Sequence, residues 1–127
     1  MSSSSKTILV VDDYPLILER LRILLLEMEE VDEVLAAGSY THSLEILQQR
    51  TPDLALLDIH LPDRNGICIL EYIKACHPGV WVIMMSNHYH STYRDLCKEK
   101  GADYFIDKSN DFEKLPELIS SFFAGTR

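Results

Sequence analysis

Residues 8–15 read Ile8-Leu9-Val10-Val11-Asp12-Asp13-Tyr14-Pro15. Four consecutive apolar residues describe a strand buried on both faces, the pattern of a parallel sheet covered by helices. The proline that follows suits the first turn of a helix, where its fixed φ fits and its missing N–H would go unbonded anyway. The stretch therefore predicts a strand over about Thr7 to Asp12 running into a helix from Pro15 to about Glu29, with two carboxylates at the join. Within that helix Ile17, Leu21, Leu24 and Met28 form the expected core stripe, flanked by Leu18 and Leu25.

The same alternation recurs along the chain. Val34-Leu35-Ala36-Ala37 predicts a second strand, and Ser39 or Thr41 can cap a helix running to Arg50, with Leu44 and Leu47 inward. Leu54 to Asp58 predicts strand three, and a loop holding Pro62 and Gly66 leads to a helix over about Ile67–Cys76. Pro78-Gly79 marks a turn before strand four, Trp81 to Met85, which ends at Ser86. A more polar helix over Ser91–Lys100 is closed by Gly101 as its left-handed residue, and Tyr104-Phe105-Ile106-Asp107 follows as strand five. The last helix carries Leu115, Leu118, Ile119 and Phe122 on one face, with Pro116 in its first turn. Five strands alternating with five helices predict an α/β, doubly wound parallel sheet with right-handed crossovers and helices on both faces.

In open α/β sheets the ligand site lies beyond the carboxyl ends of the strands. Asp12 and Asp13 close strand one, Asp58 closes strand three and Lys108 follows strand five, so three carboxylates and an ammonium are expected on one rim. Each acid alone has a simpler reading as a helix cap. Together they suit a different chemistry. Crowded carboxylates raise one another's pKa unless a cation compensates, and a hard divalent ion needs only one or two of them. Mg²⁺ is the expected cofactor, with Mn²⁺ as the alternative. A carboxylate beside a metal ion and a lysine can act as a nucleophile toward a phosphoryl group. Asp58, on the central strand, is the candidate nucleophile, and the Ser86 hydroxyl can donate to a phosphoryl oxygen.

Composition narrows the field. The chain has 127 residues, enough for one domain with one core. No apolar stretch approaches the roughly 20 residues of a membrane span, and the start Met1-Ser2-Ser3-Ser4-Ser5 lacks a signal-peptide core, which points to the cytoplasm. A net charge of −8 disfavours direct nucleic-acid binding. Cys68, Cys76 and Cys97 have no metal-binding spacing and read as buried or idle thiols.

Asp12-Asp13, Asp58 with Pro62 and Gly66 beyond it, Ser86 and Lys108 together resemble the receiver domain of two-component response regulators. The resemblance covers residues 6–123, with residues 1–5 a polar amino-terminal tail and 124–127 a carboxy-terminal tail. It implies a flavodoxin-like sheet of order 2-1-3-4-5 and phosphorylation of Asp58 by a sensor histidine kinase or histidine phosphotransfer protein. Asp13, Asp58 and the backbone carbonyl of His60 would hold Mg²⁺, and Asp12 would act through a water. Lys108 and Ser86 would bind the phosphoryl group, and Ser86 with Phe105 would form the switch. The fourth helix, fifth strand and fifth helix would meet an output domain or partner, or a second copy on phosphorylation. Such a domain catalyses its own phosphotransfer and dephosphorylation without being a turnover enzyme. The chain would be either a stand-alone receiver or the amino-terminal piece of a longer regulator.

Some positions depart from the family's common pattern. Phe105 has no hydroxyl, Asn87 stands where a small residue is usual, and Ser109 follows Lys108 in place of a proline. His60 and His88 lie two positions beyond Asp58 and Ser86, where with Asn87 they are expected to tune the lifetime of the phosphoryl group; exposed loop histidines are the simpler reading. His88 and His90 near the acids could also mark a transition-metal site, a weaker idea. On the first helix, Leu16, Ile23 and Leu26 fall outside the core stripe, and Leu16 and Ile23 could dock a kinase or phosphotransfer helix. Two rival classes share parts of this pattern: a flavodoxin-like electron carrier, which needs a phosphate-binding turn where Asp12-Asp13 stands, and an aspartyl-nucleophile phosphatase, which needs a cap.

Overall fold

A computed structural model describes residues 6–87 and 91–125, and the side chains of Ser91 and Thr92 are left aside. The elements run β1 (Lys6–Val11), α1 (Pro15–Leu26), β2 (Val31–Ala37), α2 (Tyr40–Gln49), β3 (Leu54–Asp58), α3 (Gly66–Cys76), β4 (Trp81–Ser86), α4 (Ser91–Glu99), β5 (Tyr104–Asp107) and, after a short 3₁₀ turn, α5 (Leu115–Ala124). All five strands pair in parallel in the order β2-β1-β3-β4-β5. This is the doubly wound sheet expected.

Alternation along the strands divides the core in two. Ile8, Val10, Leu54, Leu56, Ile83, Met85 and Ile106 face α1 and α5, where Leu21, Leu25, Leu115 and Ile119 are buried. Leu9, Val11, Ala55, Leu57, Val82 and Met84 face the other layer, where Leu47, Ile69, Leu70, Ile73 and Cys97 pack from α2, α3 and α4. β1 and β3 are buried almost throughout, so their apolar runs carry no solvent face.

Local chemistry explains most boundaries. Pro15 opens α1, Ser39 caps α2 by accepting from His42 N at 3.1 Å, and Asn65 caps α3 by accepting from Ile67 N at 2.8 Å. Gly101, at φ +103°, takes the left-handed conformation after α4 that a Cβ would resist. Several boundaries differ from expectation: β1 covers Lys6–Val11 instead of Thr7 to Asp12, β2 begins at Val31 instead of Val34, and α3 begins at Gly66 instead of Ile67. α1 stops at Leu26, three residues before Glu29, because the chain turns through residues 27–30 to begin β2 at Val31, where Val31 is needed in the core. In α1 the buried residues are Leu21 and Leu25, continued by Met28 in the turn that follows, with Ile17, Leu18 and Leu24 at the edges, since a sheet below the helix favours the i, i+4 row through Leu21. The helices α2 and α4 each end one residue early, at Gln49 and Glu99.

Candidate functional site

The sheet order reverses between β1 and β3, and the crevice at their carboxyl ends holds the expected residues. An open cleft of about 390 Å³ is lined by Asp12, Asp13, Tyr14, Asp58, His60, Asn87 and Lys108, among others. One carboxylate oxygen from each of Asp12, Asp13 and Asp58 lies within 4.8 Å of the others. None serves as a helix cap: the residue before α1 is Tyr14, and α3 is capped by Asn65.

The acids differ sharply in surroundings. Asp12 is fully buried; its Oδ1 accepts from Tyr14 N at 2.9 Å, and its Oδ2 lies 2.6 Å from Lys108 Nζ, an ion pair that falls short of a directed hydrogen bond. Asp13 is exposed and makes no hydrogen bond or ion pair to a described residue. Asp58 is buried, with Oδ2 3.3 Å from Lys108 Nζ and Oδ1 accepting from His60 N at a long 3.3 Å. Lys108 is itself buried between the two acids, and its backbone N–H donates to Ser86 O at 2.9 Å, which ties the lysine to the end of β4.

Burial pushes the Asp58 carboxyl up, the Asp12 charge pushes it further, and Lys108 and the His60 N–H pull it down; the balance stands at about 6. For Lys108 burial works against the charged form, yet its contacts with Asp12 and Asp58 outweigh that and raise its pKa. Three carboxylates against one ammonium leave excess negative charge in a partly buried cleft. A divalent cation fits this donor set: every ligand offered is a hard oxygen, and the exposed Asp13 oxygens have no described partner to give up. Asp13 and Asp58, with the His60 carbonyl, could hold it directly, and Asp12, already engaged by Lys108, through a water.

Ser86 is fully buried at the end of β4, and Phe105 is buried while Tyr104 is half exposed on the other side of β5, as strand alternation requires. Asn87 is exposed at the cleft, whereas His88 and His90 lie outside the described residues. His60 is exposed, and its ring meets the Tyr93 ring of α4 edge-on at 5.5 Å between centroids. Leu16 and Ile23 are exposed on α1, at 80% and 52%, away from the core. Cys97 is buried, Cys68 half-buried and Cys76 exposed.

Two residues that follow β3 shape the site: Gly66, which the sequence reading places in the loop without this contact, and Asp63, which it misses. A Cβ on Gly66 would stand 1.9 Å from the Asp58 carbonyl oxygen, so the start of α3 presses on the end of β3. Asp63 bonds the first amides of α2, and those bonds hold its carboxyl down at about 2. No local signal could have found Asp63's role, because the helix it caps lies over 20 residues away in sequence.

The family model for the response regulator receiver domain matches residues 8–120, and this chain belongs to that family. It is thus a receiver domain of a two-component response regulator, a class of signalling protein. Among curated relatives, Fimbriae Z protein of Escherichia coli K12 is 27% identical over 119 residues, 94% of this chain and 57% of its own length. The DNA-binding transcriptional activator EvgA of the same strain is 29% identical over 116 residues, covering 89% of this chain and 55% of its own. The chain therefore spans a little over half the length of these relatives. A solved CheY-like response regulator receiver domain protein from Methanospirillum hungatei JF-1 superposes with a TM-score of 0.86 at 31% identity, over 94% of both chains. No helix among the described residues is long and apolar enough to cross a membrane.

Proposed function

We propose that Asp58 accepts a phosphoryl group from a sensor histidine kinase or a histidine phosphotransfer protein. The observation that carries this reading is the burial of Asp58 between the Lys108 ammonium and the Asp12–Asp13 pair. An Asp58 carboxylate oxygen attacks phosphorus, the phosphorus–nitrogen bond to the donor's imidazole breaks, and the imidazole leaves with its electron pair, giving an acyl phosphate on Asp58. Mg²⁺ held by Asp13, Asp58 and the His60 carbonyl would neutralise charge on the phosphoryl oxygens. Lys108, held in place by Asp12, supplies a second cation. Ser86, at the end of β4, donates its hydroxyl to a phosphoryl oxygen, and Phe105 on the neighbouring β5 responds by packing alone because it has no hydroxyl.

That change favours one of two arrangements of the surface formed by α4, β5 and α5. A cleft of about 620 Å³ lies there, lined by Arg94, Tyr104, Asp107, Lys114, Glu117 and Ser121 among others, and suits a polar partner surface. The partner is an output domain, a separate protein or a second phosphorylated copy, and the chain works in the cytoplasm. EvgA is a DNA-binding transcriptional activator, but a net charge of −8 makes this domain itself a poor nucleic-acid ligand.

Incubation with Mg²⁺ and a small-molecule phosphodonor tests the reading. One phosphoryl group per chain is expected, released by hydroxylamine and lost when EDTA replaces Mg²⁺. No incorporation overturns it, and continuous release of phosphate at many turnovers per minute would favour an aspartyl-nucleophile phosphatase. The lifetime of the phosphoryl group is assigned to His60 and Asn87, which line the cleft, and to His88, which lies outside the described residues. His60→Ala, which removes the ring resting on Tyr93, is expected to admit water and shorten the half-life of the phosphorylated chain about threefold or more. An unchanged half-life removes His60 from that role.

A further inference from the structure

Asp63 lies in the loop that follows Asp58, yet its carboxylate closes the first turn of α2. Oδ1 accepts from Tyr40 N at 2.9 Å, and Oδ2 accepts from Thr41 N at 3.0 Å and from Thr41 Oγ1 at 2.9 Å. The helix's own cap, Ser39, serves only the next donor, His42 N. The first amides of a helix have no partner within it, so Tyr40 and Thr41 depend on Asp63. Its negative charge also suits the positive end of the helix, and the neighbouring Arg64 guanidinium stands 5.0 Å over the Tyr40 ring.

This cap ties the site loop to a second layer of the molecule. The loop begins at Ile59, whose N–H donates to Met85 O at 3.0 Å, and ends at Gly66, whose N–H donates to Ile59 O at 2.7 Å. Asp63 pins the stretch between them. His60, whose carbonyl is one of the oxygens offered to the metal ion, sits between the first and second of these three points.

We infer that Asp63 is a positioning residue for the divalent-cation site, holding the loop so that the His60 carbonyl and the Asp58 carboxylate stay aligned. The inference rests on the metal-dependent reading above. Reciprocity makes it measurable in the unaltered protein: if the tie supports Mg²⁺ binding, Mg²⁺ must strengthen the tie by the same factor. The amides of Tyr40 and Thr41 report the tie directly, and the amide of His42, bonded to Ser39, serves as the control.

Two measurements test it. Titration calorimetry with Mg²⁺ is expected to show about fivefold or more weaker binding in Asp63→Ala, and recovery of most of the affinity in Asp63→Asn, which keeps an acceptor oxygen. Amide hydrogen exchange in the wild-type chain is expected to slow at Tyr40 and Thr41 by a similar factor when Mg²⁺ is added, with His42 unaffected. Unchanged exchange at Tyr40 and Thr41 in a chain that binds Mg²⁺ overturns the role of Asp63, and so does wild-type affinity in folded Asp63→Ala. If the wild-type chain binds no Mg²⁺, the metal-dependent reading itself falls.

Discussion

Gly66→Ala is expected to destabilise the domain by about 3 kcal/mol or more, a large part of the roughly 5–15 kcal/mol that keeps a small domain folded. The cause is contact, since the backbone at this position is one that other residues adopt. The new Cβ would lie 1.9 Å from the Asp58 carbonyl oxygen, 2.9 Å from its carbonyl carbon and 3.2 Å from Ile59 Cα. These are backbone atoms of a buried central strand, so no side chain can swing aside. Relief requires α3 to retreat from β3, which breaks the 2.7 Å bond from Gly66 N to Ile59 O and moves Asp58 relative to Lys108. Urea unfolding measures the loss, and Gly79→Ala is the control: nothing lies within 4 Å of its Cβ, and restricting the unfolded chain offsets or outweighs any cost there. Equal midpoints for Gly66→Ala and the wild type would contradict the close approach.

Asp58→Asn is expected to abolish phosphoryl incorporation while making the metal-free protein more stable at neutral pH. The amide is not a nucleophile toward phosphorus, so no acyl phosphate forms. The stability gain follows from linkage. In the fold the Asp58 carboxyl is raised to about 6, whereas in the unfolded chain it titrates near its ordinary value of 3.8. A raised carboxyl contributes stability that is fully present below the unfolded value and is lost as pH rises through about 6. Above that pH the wild type carries an ionised carboxylate in a site that disfavours it, at a cost of about 1–3 kcal/mol that the neutral amide avoids. Thermal melts in EDTA should therefore separate wild type from Asp58→Asn at pH 7.5 and bring them together near pH 4. Adding Mg²⁺ should raise the wild-type midpoint at pH 7.5 more than that of the variant, because binding to the folded state alone stabilises it and the variant lacks one ligand charge. A variant less stable than the wild type at pH 7.5 in EDTA would show that Lys108 outweighs burial at Asp58.

Both outcomes bear on how a receiver site is built. On the proposed reading, the nucleophile would be kept ready by an environment that its charge disfavours, and a bound cation would relieve it. Asp12 and Lys108 form the fixed part of this environment, buried and paired at 2.6 Å, while Asp13 and His60 face the solvent. On the same proposal, the division would fit a site whose inner half stays ordered without the cation and whose outer half admits a donor protein.

What the chain shows without its fold is what short-range chemistry controls. Unbroken apolar runs mark β1 and β3, Pro15 marks the start of α1, Gly101 the end of α4, and the acids and Lys108 stand at strand ends because parallel strands place their ligand groups there. The family resemblance added the strand order, which no local pattern contains. Tertiary structure alone decided that Asp12, and not Asp13, pairs with Lys108, that α1 yields three residues to the turn before β2, that Gly66 is required by contact with β3, and that Asp63 caps a helix begun more than 20 residues earlier. Each of these depends on distances between elements set by sheet register and crossover packing. A side chain's propensity records its preference for its neighbours in the chain; it carries no record of which distant backbone the fold will bring within reach.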